Sequence, residues 1–509
     1  MKGRRAIWAI LMLFCLVPAG AQGAEYRLSL ADCLNMALDN NLDLVVARFN
    51  PAVSEEQVTV QDSNFDLGFQ ANFNPSGFKR QAATRFQASG EGDTLSASAG
   101  IQQNLRIGGS YTVSLTSSRE TGSNTVFEPF YNAGLDLIWD QPLLAGRGVE
   151  ANTEQLVIAK NNFEISQQDL RVQINDTMEL VENAYWDVLA NIAGLRVANE
   201  SLDRAKDLLE QNRKKVEVGT LPPIDITQAE AGVAQQEEGV IIAEETLFNA
   251  EDELRRLLGV PADDPMWSQR IVPTDQPDLV RLEIDLDSAI EEAYANRPEL
   301  IRAQRQLDSN ELSVRAAKNR ARGDLNLNAR LSPTGQNELI DPDGSLGVGV
   351  VSGDEVGSNF DDAVTEIPEL ANYFWSVGLT YTIPIGNRQA KANYRIAQLN
   401  RDQSQTTLRN QEQNIRVEVR RAARGVETGV KRIDAAEASV ELQRKNLEAE
   451  QKKFENGMST SFQVLEFQND LSDAEVALIR AVVTYRRSIV AFEKAKGTLL
   501  ESRNVQLDP

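Results

Sequence analysis

The sequence predicts a mostly α-helical protein with a membrane β-barrel, built from duplicated halves that each give two barrel strands and long antiparallel coiled-coil helices. Three observations lead there. Val181, Val188, Leu195, Leu202, Leu209 and Val216 fall seven apart, an apolar helical seam that stops at Gly219. Moved forward by 238 residues, the same positions read Val419, Val426, Ile433, Val440, Leu447 and Phe454, and Gly219 lands on Gly457. Between the helical stretches lie runs of period two, the signature of strands, and the chain opens with residues in the order of an export signal.

Lys2, Arg4 and Arg5, the apolar run from Ala6 to Val17, and Pro18-Ala19-Gly20-Ala21 mark residues 1–21 as a signal peptide, with cleavage after residue 21 or 23. Phe14 directly before Cys15 argues against a lipid-attachment box. The leader takes three basic and no acidic residues from a net charge of −23, leaving −26. Such a chain repels nucleic acid, so none is expected as a partner. Cys33 then stands alone on a helix, where it reads as a small buried hydrophobe. No later stretch has the ~18 apolar residues of a membrane helix. Any crossing must be made by strands.

The first half, 22–283, begins with a short amphipathic helix, Leu28 to Ala47. Its repeat 256 residues on, Ile284 to Ala303, shares Leu30/Leu286, Ala37/Ala293, Asn40/Asn296, Leu44/Leu300 and Ala47/Ala303. Strands follow at about 65–73, where Phe65, Leu67, Phe69, Ala71 and Phe73 alternate with polar or small residues, and at about 134–143, where Leu135, Leu137 and Trp139 do so. Next comes a long helical hairpin with its tip near 219–225, where the glycine ends one helix and Pro222-Pro223 precede the next. A proline-rich linker, 259–283, is expected to wrap the helices. The second half, 284–509, repeats the plan with strands at about 324–332 and 373–385, a hairpin tip near 457–463 and a C-terminal tail.

Two further alternating runs, Leu95 to Leu105 and Tyr111 to Leu115, flank Gly108-Gly109. They make a hairpin that is either two more wall strands or an external flap, and the flap is the favoured expectation. Trp139, Tyr373, Trp375 and Tyr381 stand where an aromatic girdle would meet the lipid headgroups. Four strands cannot close a barrel, since about eight is the smallest that does. The wall must be shared between chains.

Pro333 to Asn372 is a long acidic loop without a basic residue, read as solvated surface. Its Asp341-Pro342-Asp343-Gly344 places the glycine two positions too early for a calcium loop, so no metal is expected. The chain has no histidine, which removes serine–histidine chemistry and histidine zinc sites. No glycine-rich run is followed by Lys-Ser or Lys-Thr, so nothing would hold a nucleotide. No enzyme activity and no cofactor are expected.

A signal peptide, two halves, strands feeding long helices and glycine turns at the helix ends together resemble the TolC-like outer-membrane efflux proteins. The most specific parts are Val218-Gly219 through Asp225 to Ala229, Asn456-Gly457 through Val464-Leu465, Asp140-Gln141-Pro142-Leu143-Leu144, and Ile383-Pro384-Ile385-Gly386-Asn387-Arg388. The resemblance implies a homotrimer in the Gram-negative outer membrane, with twelve shared strands and a long periplasmic extension. It implies a passive exit duct for efflux or type I secretion, engaged by a periplasmic adaptor and an inner-membrane transporter of RND or ABC type. Gly219, Asp225, Gly457 and Ser459 would then be tip residues at which the adaptor docks, and Gln463 and Glu466 would stand at the periplasmic mouth, one of two acidic rings having been lost. Phe454 and Ser459 match the positions that latch the mouth in some members, and neither side chain can form a salt bridge. The rival expectation is a periplasmic coiled-coil scaffold or adaptor without a pore, which explains the helices and leaves the strands unexplained.

Overall fold

The computed structural model describes residues 25–81, 90–122, 129–276, 281–336 and 360–503. The expected signal peptide and the aspartate loop at 341–344 lie outside them. In chain order the elements are β1 (Glu25–Leu28), α1 (Leu30–Asn40), α2 (Leu42–Asp62), β2 (Gly68–Arg80), β3 (Gly90–Asn104), β4 (Ser110–Gly122), β5 (Phe130–Pro142), α3 (Val149–Asn152), α4 (Glu154–Glu217) and α5 (Ile224–Leu257). Then come β6 (Arg270–Pro273), α6 (Leu286–Asn296), α7 (Pro298–Arg320), β7 (Asp324–Gln336), α8 (Phe360–Thr365), β8 (Asn372–Thr382), α9 (Arg388–Glu455), α10 (Ser461–Lys496) and α11 (Leu499–Ser502). They divide into two units, one holding 1–48, 170–298 and 413–509, the other 49–169 and 299–412.

The first unit is helical. The long helices of both hairpins end on the same device. Gly219, Gly259, Gly457 and Gly497 have φ between +68° and +77°, the left-handed region that only glycine enters without strain. At the tips Gly219 N–H bonds to the Val216 carbonyl and Thr220 N–H to that of Lys215, as Gly457 N–H does to Phe454 and Met458 N–H to Lys453. Gly259 and Gly497 lie 238 residues apart, as Gly219 and Gly457 do, so the duplication runs through both hairpins.

The core of this unit gathers Cys33, Leu34, Ala37 and Leu44 against Val181, Tyr185 and Val188 of α4 and Leu247, Leu254 and Leu258 of the α5 end. Burial pushes the Cys33 thiol up to about 12, with Asp32 and Asp275 adding to it, so it is an inert core group. In α9 the heptad seam is buried along its whole length, Val419, Val426, Ile433, Val440, Leu447 and Phe454 all being at most 8% exposed. In α4 the seam is buried at Val181 and Val188 only, and beyond them burial moves to Val197, Ser201, Ala205, Leu208 and Asn212. That adjoining face, about a quarter-turn round the helix, packs on α10, where the Ser201 and Ser472 hydroxyls meet at 2.7 Å and Leu208 joins Val464 and Leu471.

The chain after Gly259 folds back against the end of α5 around one buried arginine. Arg255, 3% exposed, pairs with Glu251 at 3.0 Å and donates to the carbonyls of Met266 and Gln269. From there β6 pairs in parallel with β1, a two-stranded sheet that no periodicity in the sequence announces.

The second unit contains one antiparallel sheet in the order β2-β3-β4-β5-β7-β8. The four expected strands are present as β2, β5, β7 and β8. The flap expectation is overturned, because β3 and β4 are inserted between β2 and β5 with unbroken register from Gly68↔Gln102 to Arg80↔Gly90 on one side and from Ser110↔Asp140 to Glu120↔Phe130 on the other. The first half therefore supplies four strands instead of two. The described part of the acidic loop is not wholly solvated either. Residues 333–336 extend β7, and α8 buries Ala363 against Ala133 while Phe360 meets Tyr131 edge-on at 6.3 Å.

Candidate functional site

Two places carry the chemistry, the hairpin tips in the first unit and the strand wall in the second. At the tips the duplicated helices are bound to one another. Lys215 Nζ on α4 donates to the Phe454 carbonyl of α9 at 2.7 Å and stands 3.7 Å from the centroid of the Phe454 ring. Phe454 is 2% exposed, so this cation–π contact is shielded on the ring side. Asn212, fully buried, donates to the Asp225 carbonyl at 3.1 Å, and the Asp225 carboxylate accepts from the Ser461 hydroxyl at 3.2 Å. Asp225 thus joins the two tips, and its place in the first turn of α5 also suits the positive end of that helix.

Ser459 donates its hydroxyl to Glu450, which also accepts from Lys453 at 2.9 Å. Gln463 lies 2.9 Å from Ser459 and gives its own N–H to the Thr460 hydroxyl that caps α10. Glu466 is exposed, and among the described residues no hydrogen bond or ion pair engages it. Of the expected mouth residues, then, Gln463 is part of the tip's hydrogen bonding and Glu466 stands free. Gly219 and Gly457 face open space, since a Cβ added at either would have no atom within 4 Å. Around them Val218, Ile224, Met458 and Phe462 are exposed apolar residues. Lys215, Asn212 and Glu450 belong to the bonding of the tips, and sequence patterns do not mark them. A lysine such as Lys215 on a charged helix carries no local sign of a partner 239 residues away.

The sheet has two chemically different faces. On one, register rows run Phe69-Ile101-Val113-Leu137-Leu331-Trp375 and Ala71-Ala99-Leu115-Leu135. On the other they run Asn72-Ser98-Thr116-Gly134-Thr334-Asn372 and Asn74-Ser96-Ser118-Asn132-Gln336. Along β3 the polar positions Thr94, Ser96 and Ser98 are less exposed than Leu95, Ala97 and Ala99, so the sheet curls toward its polar face. That face holds a cavity of about 240 Å³ lined by hydroxyl and amide groups. It also holds an ion pair, Arg330 donating to Asp136 at 2.6 Å with the Ser332 hydroxyl on the same carboxylate oxygen. Trp139, Tyr373, Trp375 and Tyr381 all lie on the apolar face and are 50% to 64% exposed. The edge strands β2 and β8 are exposed over their entire length.

No helix among the described residues is long and apolar enough to cross a membrane, and no three acidic or cysteine side chains there come together as a metal site. A sheet that is apolar outside and polar inside, joined to paired helical hairpins, defines a channel-forming protein of the barrel-and-helix type. The chain belongs to the outer membrane efflux protein family, whose model matches residues 110–260 and 289–498, and its place is the Gram-negative outer membrane. No curated protein matches the sequence significantly. Among solved structures the fold is similar to the CmeC outer membrane channel of Campylobacter jejuni, at 17% identity over 92% of this chain and 86% of that one, with a TM-score of 0.68. It is similar to the outer membrane protein VceC of Vibrio cholerae, at 14% identity over 92% and 96%, with a TM-score of 0.65. It is similar also to the open state of the MtrE outer membrane channel of Neisseria gonorrhoeae, at 16% identity over 94% and 91%, with a TM-score of 0.61. Family and sheet together set aside the scaffold without a pore.

Proposed function

We propose that three copies of this chain form one passive exit duct through the outer membrane, which a periplasmic adaptor and an inner-membrane transporter of RND or ABC type engage for tripartite efflux or type I secretion. The observation that carries the reading is the open sheet. Six strands are too few to close, and each unpaired N–H or C=O on the β2 and β8 edges would cost several kcal/mol in lipid. In this antiparallel order β2 and β8 run in opposite directions, so β8 of one copy can pair with β2 of the next. The four girdle residues would then face lipid.

The tips supply the adaptor surface. Gly219 and Gly457 leave the backbone bare, and Val218, Ile224, Met458 and Phe462 offer apolar area beside Asp225 and Ser459. At the mouth, three copies of Glu466 would form a ring of carboxylates, with Gln463 as its neutral neighbour. The chain does no work itself, and its partners supply the energy.

The deciding experiment is the native mass of protein extracted in detergent from the outer-membrane fraction. Three chains in one stable particle are expected. A monomer, or protein recovered from the soluble periplasm, would overturn the reading.

A further inference from the structure

The β3–β4 hairpin is what the duplicated plan does not require. Residues 324–382 of the second half pass through the wall once in each direction, whereas 68–142 of the first half do so twice. The extra passage has the chemistry of a membrane wall. Its one face reads Leu95, Ala97, Ala99, Ile101, Val113 and Leu115. Its other face reads Thr94, Ser96, Ser98, Ser114, Thr116 and Ser118. The register between β2 and β5 sets this aliphatic band in line with Phe69 and Leu137 of the flanking strands, where a flap would leave β2 and β5 to pair with each other.

Resting on the proposed trimeric duct, we infer that this hairpin is a bore-widening insertion that makes the outer exit a hydroxyl-lined passage of porin width, suited to bulky hydrated cargo. Three copies of six strands give eighteen in place of twelve. Barrel diameter grows roughly linearly with strand number, so the exit is about 1.5-fold wider, in the range where porins hold an open water channel. The added lumen surface carries one charge, Glu120, close to the end of β4, and otherwise Ser, Thr, Gln, Asn and Gly. Such a surface hydrogen-bonds to hydrated solutes without sorting them by charge. The Asp136–Arg330 pair beside it is internally neutral. The insertion therefore widens the passage while adding little charge to its wall.

Single-cysteine labelling tests this, because Cys33 is buried and unreactive. In outer membranes, Ser98→Cys should react with a water-soluble maleimide while Ala99→Cys is shielded by lipid. Equal labelling of both in a trimeric membrane protein would overturn the hairpin's place in the wall. Asn72→Cys, on the polar face of β2, then gauges the bore with maleimide-polyethylene glycols of graded mass added from outside. The largest polymer that reacts should have a radius about 1.5-fold greater in the full chain than in a chain lacking 82–128, where β2 would lead directly into β5. Equal limits would overturn the widening. Should the shortened chain not assemble, the Ser98/Ala99 pair still decides whether the hairpin lines the lumen. A protein that is not a membrane trimer would instead defeat the duct on which the inference rests, a different and separately visible result.

Discussion

Lys215 Nζ lies 2.7 Å from the Phe454 carbonyl oxygen and 3.7 Å from the centre of its ring, joining a helix of the first half to its duplicate in the second. An aromatic residue that cannot itself form a salt bridge is thus held by a cation from the other tip. Lys215→Met keeps the aliphatic stem and removes both contacts, and should cost about 2 kcal/mol in urea unfolding followed by helical circular dichroism. Phe454→Leu keeps the carbonyl. A double-mutant cycle between the two therefore isolates the ring contact, at about 0.5–1 kcal/mol. Zero coupling would mean that the lysine holds only the backbone.

The glycine stops separate backbone cost from steric cost. At Gly219 and Gly457 a methyl group meets nothing, so Gly219→Ala and Gly457→Ala should each lose about 1 kcal/mol through φ alone. Asn at either position should lose less, since it tolerates the left-handed region. Gly259 is also left-handed, but its Cβ would lie 2.2 Å from the Asn40 carbonyl oxygen. Gly259→Ala should therefore be the most damaging of the three. Equal losses at all three sites would show that the contact with Asn40 relaxes freely.

The second tip should respond to acid. The Ser459 hydroxyl, and after it the Lys453 ammonium, hold the Glu450 carboxyl below its ordinary value of 4.5. A carboxylate lowered on folding contributes stability above its unfolded value and loses it as pH falls through the folded one. Protection of the amides at 455–462, taken against their intrinsic exchange rate at each pH, should thus be insensitive to this group from pH 8 to about 5 and should fall below it. In Glu450→Gln the acid step from this residue should disappear, while protection at neutral pH is already reduced. An unchanged acid step in that variant would assign the response to another carboxylate.

Glu466 gives the test of the mouth. If three copies converge there, Glu466→Gln should weaken block by multivalent cations in single-channel recordings severalfold. Gln463→Ala should not, since that side chain is neutral and sits within hydrogen-bond distance of Ser459. Unchanged block in Glu466→Gln would leave Glu466 as a solvated helix charge.

The features legible in the amino-acid order are local and periodic. The seams of α4 and α9 and the glycines ending them can be read there, because a helix writes its buried face every three to four residues and a left-handed turn selects glycine. Strands β2, β5, β7 and β8 can be read because a membrane wall alternates every second residue. Pairing cannot. The alternation of β3 and β4 is the same in a flap or a wall, and only the register between β2 and β5 distinguishes them. Strands β1 and β6 are four residues each, too short for a period to show. The shift of burial on α4 from Val188 to Val197 and Leu208 follows from the arrival of α10, and Lys215 finds Phe454 across 239 residues. Such contacts depend on how elements pack, and the packing of distant segments leaves no periodic trace in either of them.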